Sequence, residues 1–97
     1  MTTFFVSRHP GALEWMLKNR VPFDVRRAHL DMAEVAPGDT VIGSLPVNLA
    51  AEVCARGAAY RHLSLRIAEA DRGRELSAEE LERCDATLTE YLIKEIA

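Results

Sequence analysis

This chain has little cysteine, no surplus of basic charge and no long apolar run. Its two cysteines, Cys54 and Cys84, match no zinc-ligand spacing. Each falls within a helical apolar pattern, so both read as buried free thiols in a reducing compartment. Twelve Lys and Arg stand against fifteen Asp and Glu, a net charge of −3. That argues against a general binder of DNA or long RNA, which carries a basic surface. It leaves room for a local anion site built from a few arginines and backbone amides. No apolar stretch is long enough to span a membrane, and the first residues lack a basic n-region and a long h-region. A cytoplasmic location is therefore expected. No histidine–carboxylate cluster has ligand spacing, and Asp31 with Glu34 is a thin acidic pair, so neither a metal nor a cofactor is expected. No repeat, linker or low-complexity segment interrupts the 97 residues, 48% of them apolar. One domain over residues 1–97 is expected, small but able to bury a core.

What is present begins with Phe4-Phe5-Val6-Ser7-Arg8-His9-Pro10-Gly11-Ala12. Phe4 to Val6 form a short apolar, β-prone run of the kind found in a strand covered on both faces. Pro10 fixes φ and lacks an N–H, which suits the first turn of a helix. The pattern predicts a first strand over 3–7 and a helix over 10–19 with Leu13, Met16 and Leu17 on its inner face and Trp15 beside them. A second strand follows over 23–30, where Arg26-Arg27 suggests an edge or a partly wet face. Residues 31–36 read as a short helical turn, and Pro37-Gly38-Asp39 as a turn. The apolar run 40–43 reads as a central strand. A helix over 46–56 follows, with Leu49, Ala50, Val53 and Cys54 inward and Gly57 as its C′ residue. The alternation over 60–67 predicts a half-buried edge strand, with Leu63, Leu65 and Ile67 inward. A polar connection covers 68–75. Ser77 and Glu80 form a capping box. The last helix is expected to run to about residue 96, with Leu81, Cys84, Leu88, Leu92 and Ile96 inward.

The order β-α-β-β-α-β-α predicts a mostly parallel, four-stranded α/β sheet of order 2-1-3-4. The first and third strands are then neighbours where the strand order reverses. Ligands of open α/β sheets bind at that point. Two loops meet there, 7–11 and 43–48, and both open helices whose N-terminal amides favour anions. Arg8 suits phosphate through charge-assisted bonds, or pairs with a surface carboxylate. His9 reads as a phosphate donor or general acid/base, or as a helix-start residue without chemistry. Ser7 bonds phosphate or caps the helix. Ser44 does either at the second opening, where Asn48 faces adenine or ribose. His29 ends the second strand and either reaches the same crevice or stays solvated. His62, Ser64 and Arg66 read as a solvated face, and Trp15 as a core residue rather than a stacking platform.

Several blocks of the sequence closely resemble a family of very short CRISPR-associated proteins of type III systems. They are Phe5-Val6-Ser7-Arg8-His9-x-Gly11-Ala12-x-x-Trp15, Gly38-Asp39-x-Val41-Ile42-Gly43-x-Leu45-Pro46-x-x-Leu49-Ala50-Ala51, Tyr60-x-His62-Leu63 and Gly73-x-Glu75-Leu76-Ser77. The resemblance implies a minimal Rossmann-like, CARF-related sandwich of three layers. It implies a ring nuclease that binds cyclic oligoadenylate, typically cyclic tetra-adenylate, across a homodimer. Cleavage without metal to linear products then switches the defence signal off. On this view Ser7, Arg8 and His9 are the catalytic candidates, and Gly11, His29, Ser44, Leu45, Pro46 and Asn48 the binding ones. The substrate's own ribose 2′-OH is the nucleophile, and a 2′,3′-cyclic phosphate is left. Other classes stay open. A non-cutting sink or sensor uses the same residues. A regulatory partner of an effector ignores the nucleotide. A histidine phosphatase shares the Arg8-His9-x-Gly11 start, although Pro10 interrupts that motif.

Overall fold

The computed structural model describes residues 1–64, 77–83 and 86–97. Five strands form one sheet: β1 (Thr3–Val6), β2 (Val25–Arg27), β3 (Thr40–Gly43), β4 (Ala59–Ser64) and β5 (Thr87–Tyr91). Their order is β2-β1-β3-β4-β5. The first four strands are parallel and follow the expected 2-1-3-4, while β5 pairs antiparallel with β4. Helices α1 (Pro10–Lys18), α2 (Val47–Ala55) and α3 (Ala78–Arg83) cover the two faces. A single 3₁₀ turn spans Met32–Glu34.

The alternation of each strand sorts the core into two layers. On one face Phe5, Ile42 and Leu63 meet Ala12, Trp15 and Met16 of α1 and Ala78 of α3. On the other, Phe4, Val6, Val41 and Tyr60 meet Ala50 and Val53 of α2. The result is a Rossmann-like α/β sandwich. Phe5, Met16, Val41, Ile42, Val53 and Tyr60 are the largest fully buried side chains. Burying an aliphatic or aromatic side chain of this kind contributes roughly 1.5–3 kcal/mol.

Several expectations need correction. The buried face of α1 is Ala12, Trp15 and Met16; Leu17 points to solvent. Trp15 is a core residue, as read. The second strand covers only Val25–Arg27, because Asp24 turns back to β1: its carboxylate accepts the Thr3 N–H at 2.8 Å and its own N–H donates to the Thr3 carbonyl at 2.8 Å. Its edge position was expected from Arg26-Arg27, and Arg27 there holds Glu34 in a two-bond ion pair that raises its pKa.

The last helix is the largest miss. It is short, and residues 87–91 form β5 instead. Leu88, Leu92 and Ile96 fit a helical stripe on paper. Thr87-Leu88-Thr89 alternates equally well, and the open side of β4 offers hydrogen bonds that only a strand can use. Leu88 packs on the core, while Leu92 and Ile96 are exposed. In consequence β4 is an interior strand and not an edge. The readings at Leu65, Arg66, Ile67, residues 68–75 and Cys84 lie outside the described residues, as does the side chain of Leu81. Cys54 is a free thiol, as expected, but only half-buried.

Two local signals hold as read. The Ser77 hydroxyl accepts the Glu80 N–H, and the Glu80 carboxylate accepts the Ser77 N–H, both at 3.2 Å. Gly57 has φ +84°, and the Gly57 and Ala58 N–H groups return to the Cys54 and Val53 carbonyls at 3.0 and 3.3 Å. That is the Schellman pattern, which needs a left-handed residue at C′.

Candidate functional site

The chain leaves β1, forms α1 and β2 on one side, and returns to β3 on the other. The carboxyl ends of β1 and β3 therefore lie side by side, and the loops after them diverge around a crevice. Phe5 pairs with Ile42 and Val6 with Gly43. The crevice has a volume of about 510 Å³ and is walled by Ser7, Arg8 and His9 on the first loop and Ser44, Leu45 and Pro46 on the second. His29 closes a third side from the end of β2. Its floor is apolar, lined by Phe5, Leu49 and Leu63.

Most of the residues singled out from sequence are thus brought together. Two are not. Gly11 is buried inside the first turn of α1 and does not face the crevice. Asn48, in the first turn of α2, lines a separate concavity with Glu52, Cys54 and Lys94. Leu49 takes the place expected for Asn48.

The hydrogen bonds revise two roles. The Ser7 hydroxyl accepts the His9 N–H at 3.0 Å, closing a two-residue turn before the helix. Ser7 itself lines the crevice. Ser44 does not cap α2; its hydroxyl donates to the Leu63 carbonyl at 2.7 Å and ties the loop to β4. The N-cap positions are His9 and Pro46, and neither supplies a side-chain cap. Both helix N-termini therefore border the crevice without an internal side-chain acceptor, which suits an outside anion.

Charge points the same way. Among the described residues no carboxylate lines the crevice, and Arg8 is its only fixed charge. Arg8 is exposed and makes no ion pair with a described carboxylate. A chain of net negative charge thus keeps one cationic, acid-free concavity. Among the described residues no group of three or more His, Cys, Asp or Glu side chains is placed to hold a metal ion. No described helix is long and apolar enough to cross a membrane.

One supporting residue escaped the sequence reading. Tyr60 is fully buried on β4, and its hydroxyl accepts the Leu45 N–H at 2.9 Å and donates to the Gly43 carbonyl at 3.2 Å. Burial pushes its pKa up, which keeps the proton on the oxygen. His62 is not a solvated histidine. It is half-buried, and its Nδ1 meets the same hydroxyl. The signal was the spacing of Tyr60 and His62, two apart and so on one face of a strand.

Residues 4–94 match the family described as "Putative CRISPR-associated protein (Cas_VVA1548)". No curated protein and no solved structure matches the chain.

Proposed function

The chain belongs to this CRISPR-associated family, and from that premise we propose that it binds and cleaves a cyclic oligoadenylate, cyclic tetra-adenylate first among them. The observation that carries the reading is the acid-free crevice at the switch point, bordered by Arg8 and two uncapped helix N-termini. Phosphodiesters are the anions such a site suits, and its apolar floor suits the face of a base.

The chemistry then asks little of the protein. The ribose 2′-oxygen attacks the adjacent phosphorus in line, forming one P–O bond as the bond to the 5′-oxygen breaks. The 2′-proton leaves to water or a nearby base, and the departing 5′-oxygen gains a proton. The products are a linear chain with a 2′,3′-cyclic phosphate and a free 5′-hydroxyl. Holding the attack in line is itself worth several kcal/mol, up to about 7–11 in the best-oriented cases. Arg8, the Ser7 hydroxyl and the helix amides stabilise charge on the phosphorane. His9, on the same wall, is the acid for the 5′-oxygen, and His29 holds a phosphate from the opposite side.

The test is incubation of the pure protein with cyclic tetra-adenylate in excess chelator, with products identified by mass spectrometry. Linear products ending in 2′,3′-cyclic phosphate are expected. Tight binding with no product would make the protein a sink. Activity that vanishes with chelator and returns with a divalent ion would sink the metal-free route. Neither binding nor cleavage would leave a regulatory role within the CRISPR-associated family.

A further inference from the structure

The second wall of the crevice is held from beneath by β4. The Gly43–Leu45 backbone rests on one buried phenol, that of Tyr60. Three groups meet this hydroxyl: the Leu45 N–H, the Gly43 carbonyl and His62 Nδ1. A phenol has one proton to give and room to accept two. The Leu45 N–H can only donate, so it takes one acceptor position. The Gly43 carbonyl can only accept, so it requires the proton. If Nδ1 carries a hydrogen, it fills the second acceptor position and all three contacts are made. If Nδ1 is bare, it competes with Gly43 for a single proton and one buried acceptor goes unserved, which is costly.

From this count we propose that Tyr60 and His62 act as a latch on the β3–α2 loop, with His62 held in the Nδ1–H tautomer. The ring is fixed from both sides. It meets Tyr60 edge-on at 5.7 Å between centroids and Tyr91 of β5 at 6.1 Å. The antiparallel strand therefore has a use beyond closing the sheet, since it supplies the wall against which His62 is set. Neither Tyr60 nor His62 lines the crevice. They are positioning residues, and they act on Ser44, Leu45 and Pro46, which do line it. Protonation of Nε2 leaves the Nδ1 donor in place, so the latch does not require a neutral ring. Its bearing on turnover rests on the cyclic-oligoadenylate reading; its existence does not.

The experiment uses the full chain labelled with ¹⁵N. Long-range ¹H–¹⁵N correlation at pH 8 reads the His62 tautomer directly. A hydrogen on Nδ1 with bare Nε2 is expected, and an Nε2–H ring with bare Nδ1 overturns the assignment. Hydrogen exchange of the Leu45 amide then reports the latch. Tyr60→Phe keeps the ring and removes the hydroxyl, and should speed that exchange by about tenfold, the loss of one net hydrogen bond. His62→Leu should also speed it, whereas His62→Asn, whose side-chain N–H stands near the Nδ1–H position, should stay close to wild type. Unchanged Leu45 exchange in both Tyr60→Phe and His62→Leu overturns the latch. If Tyr60→Phe does not fold, the half-exposed His62 variants decide alone.

Turnover of cyclic tetra-adenylate forms the second readout. A displaced wall should lower kcat by about tenfold with affinity changed far less, and Asn at 62 should restore it where Leu does not. Faster Leu45 exchange with unaltered kcat overturns the link to the crevice. Wild-type protein with the Nδ1–H tautomer and a protected Leu45, yet no turnover, supports the latch and overturns the nuclease reading.

Discussion

Gly43 at the end of β3 lies against the backbone of Val6 at the end of β1: a Cβ added at residue 43 would stand 2.7 Å from the Val6 carbonyl oxygen. No real Cβ tolerates that approach, and the obstacle is backbone, which cannot swing aside. The two strand ends are close because nothing but hydrogen separates them. Their closeness sets the width of the crevice between the loops that follow.

Gly43→Ala should therefore destabilise the fold by about 1–3 kcal/mol, the usual cost of overpacking a closed site. It should also weaken ligand binding, because strand ends that part carry Ser7–His9 and Ser44–Pro46 away from each other. Urea denaturation checks the first effect and calorimetry the second. An unchanged urea midpoint would show that the two backbones separate without cost.

Acid should loosen the base of the sheet through Asp39. This buried carboxylate accepts the Thr2 N–H at 2.8 Å and the Ala36 N–H at 2.9 Å, pinning the start of β1 beside the entry to β3. Those two bonds hold its pKa below the usual aspartate range against the opposing pull of burial. A folded value below the unfolded one means that the stabilisation is fully present above the unfolded pKa of about 3.9. It is lost as pH falls through the folded value. Asp39→Asn should lower the urea midpoint at neutral pH and flatten its decline below about pH 4. Wild-type and variant curves that fall in parallel at acid pH would remove Asp39 from that decline.

Much of this arrangement was legible because its signals are local. The Ser77–Glu80 box, the Gly57 terminus and the strand-to-helix joints at Pro10 and Pro46 each follow from chemistry within a few residues. The order of the first four strands followed from those joints. The segment from Thr87 to Tyr91 was not legible, because Leu88 fits both a helical stripe and a strand alternation. The choice was made by the unpaired side of β4, a partner distant in sequence. The site divides in the same way. Loop residues Ser7, Arg8, His9 and Ser44 could be placed at the crevice because a strand end must face it. Asn48 was misplaced because the facing of a side chain in the first helical turn depends on where the helix starts, and α2 begins at Val47. Tyr60 was missed because its use lies across the sheet, at Leu45 and Gly43, fifteen and seventeen residues earlier in the chain.

Arg8→Ala should lose binding and turnover together. The guanidinium has no described carboxylate partner and would meet phosphate in ground and transition states alike. A lost charge-assisted bond costs roughly 1.5–3 kcal/mol, or about one to two decades in affinity. Unchanged affinity and rate in a folded variant would move the site away from the first loop.

His9→Ala should lower the single-turnover rate by about 10²–10⁴-fold with affinity nearly kept, if His9 protonates the leaving oxygen. A substrate carrying sulfur in place of that 5′-oxygen provides the check, since a thiolate departs without an acid. The variant should cut the thio substrate close to the wild-type rate. A defect of equal size on both substrates would remove His9 from protonation of the leaving oxygen.

The ligand should bind across two copies of the chain. One crevice of about 510 Å³ has the capacity of a small-molecule site, roughly 300–1,000 Å³. It offers two helix N-termini and one arginine, whereas a cyclic tetranucleotide presents four phosphates around a ring. Two crevices facing each other about a two-fold double every donor, and the symmetry of the pair matches a two-fold of the ring. The same doubling gathers positive potential without raising the net charge of either chain. Light scattering should give a dimer with ligand, and calorimetry one ring per two chains. Mixed dimers sharpen the test: a protomer carrying Arg8→Ala paired with an intact one should bind more tightly than the doubly substituted dimer and less tightly than wild type. A chain that stays monomeric with ligand and takes one ring each would confine recognition to a single crevice, with most of the ring left in solvent.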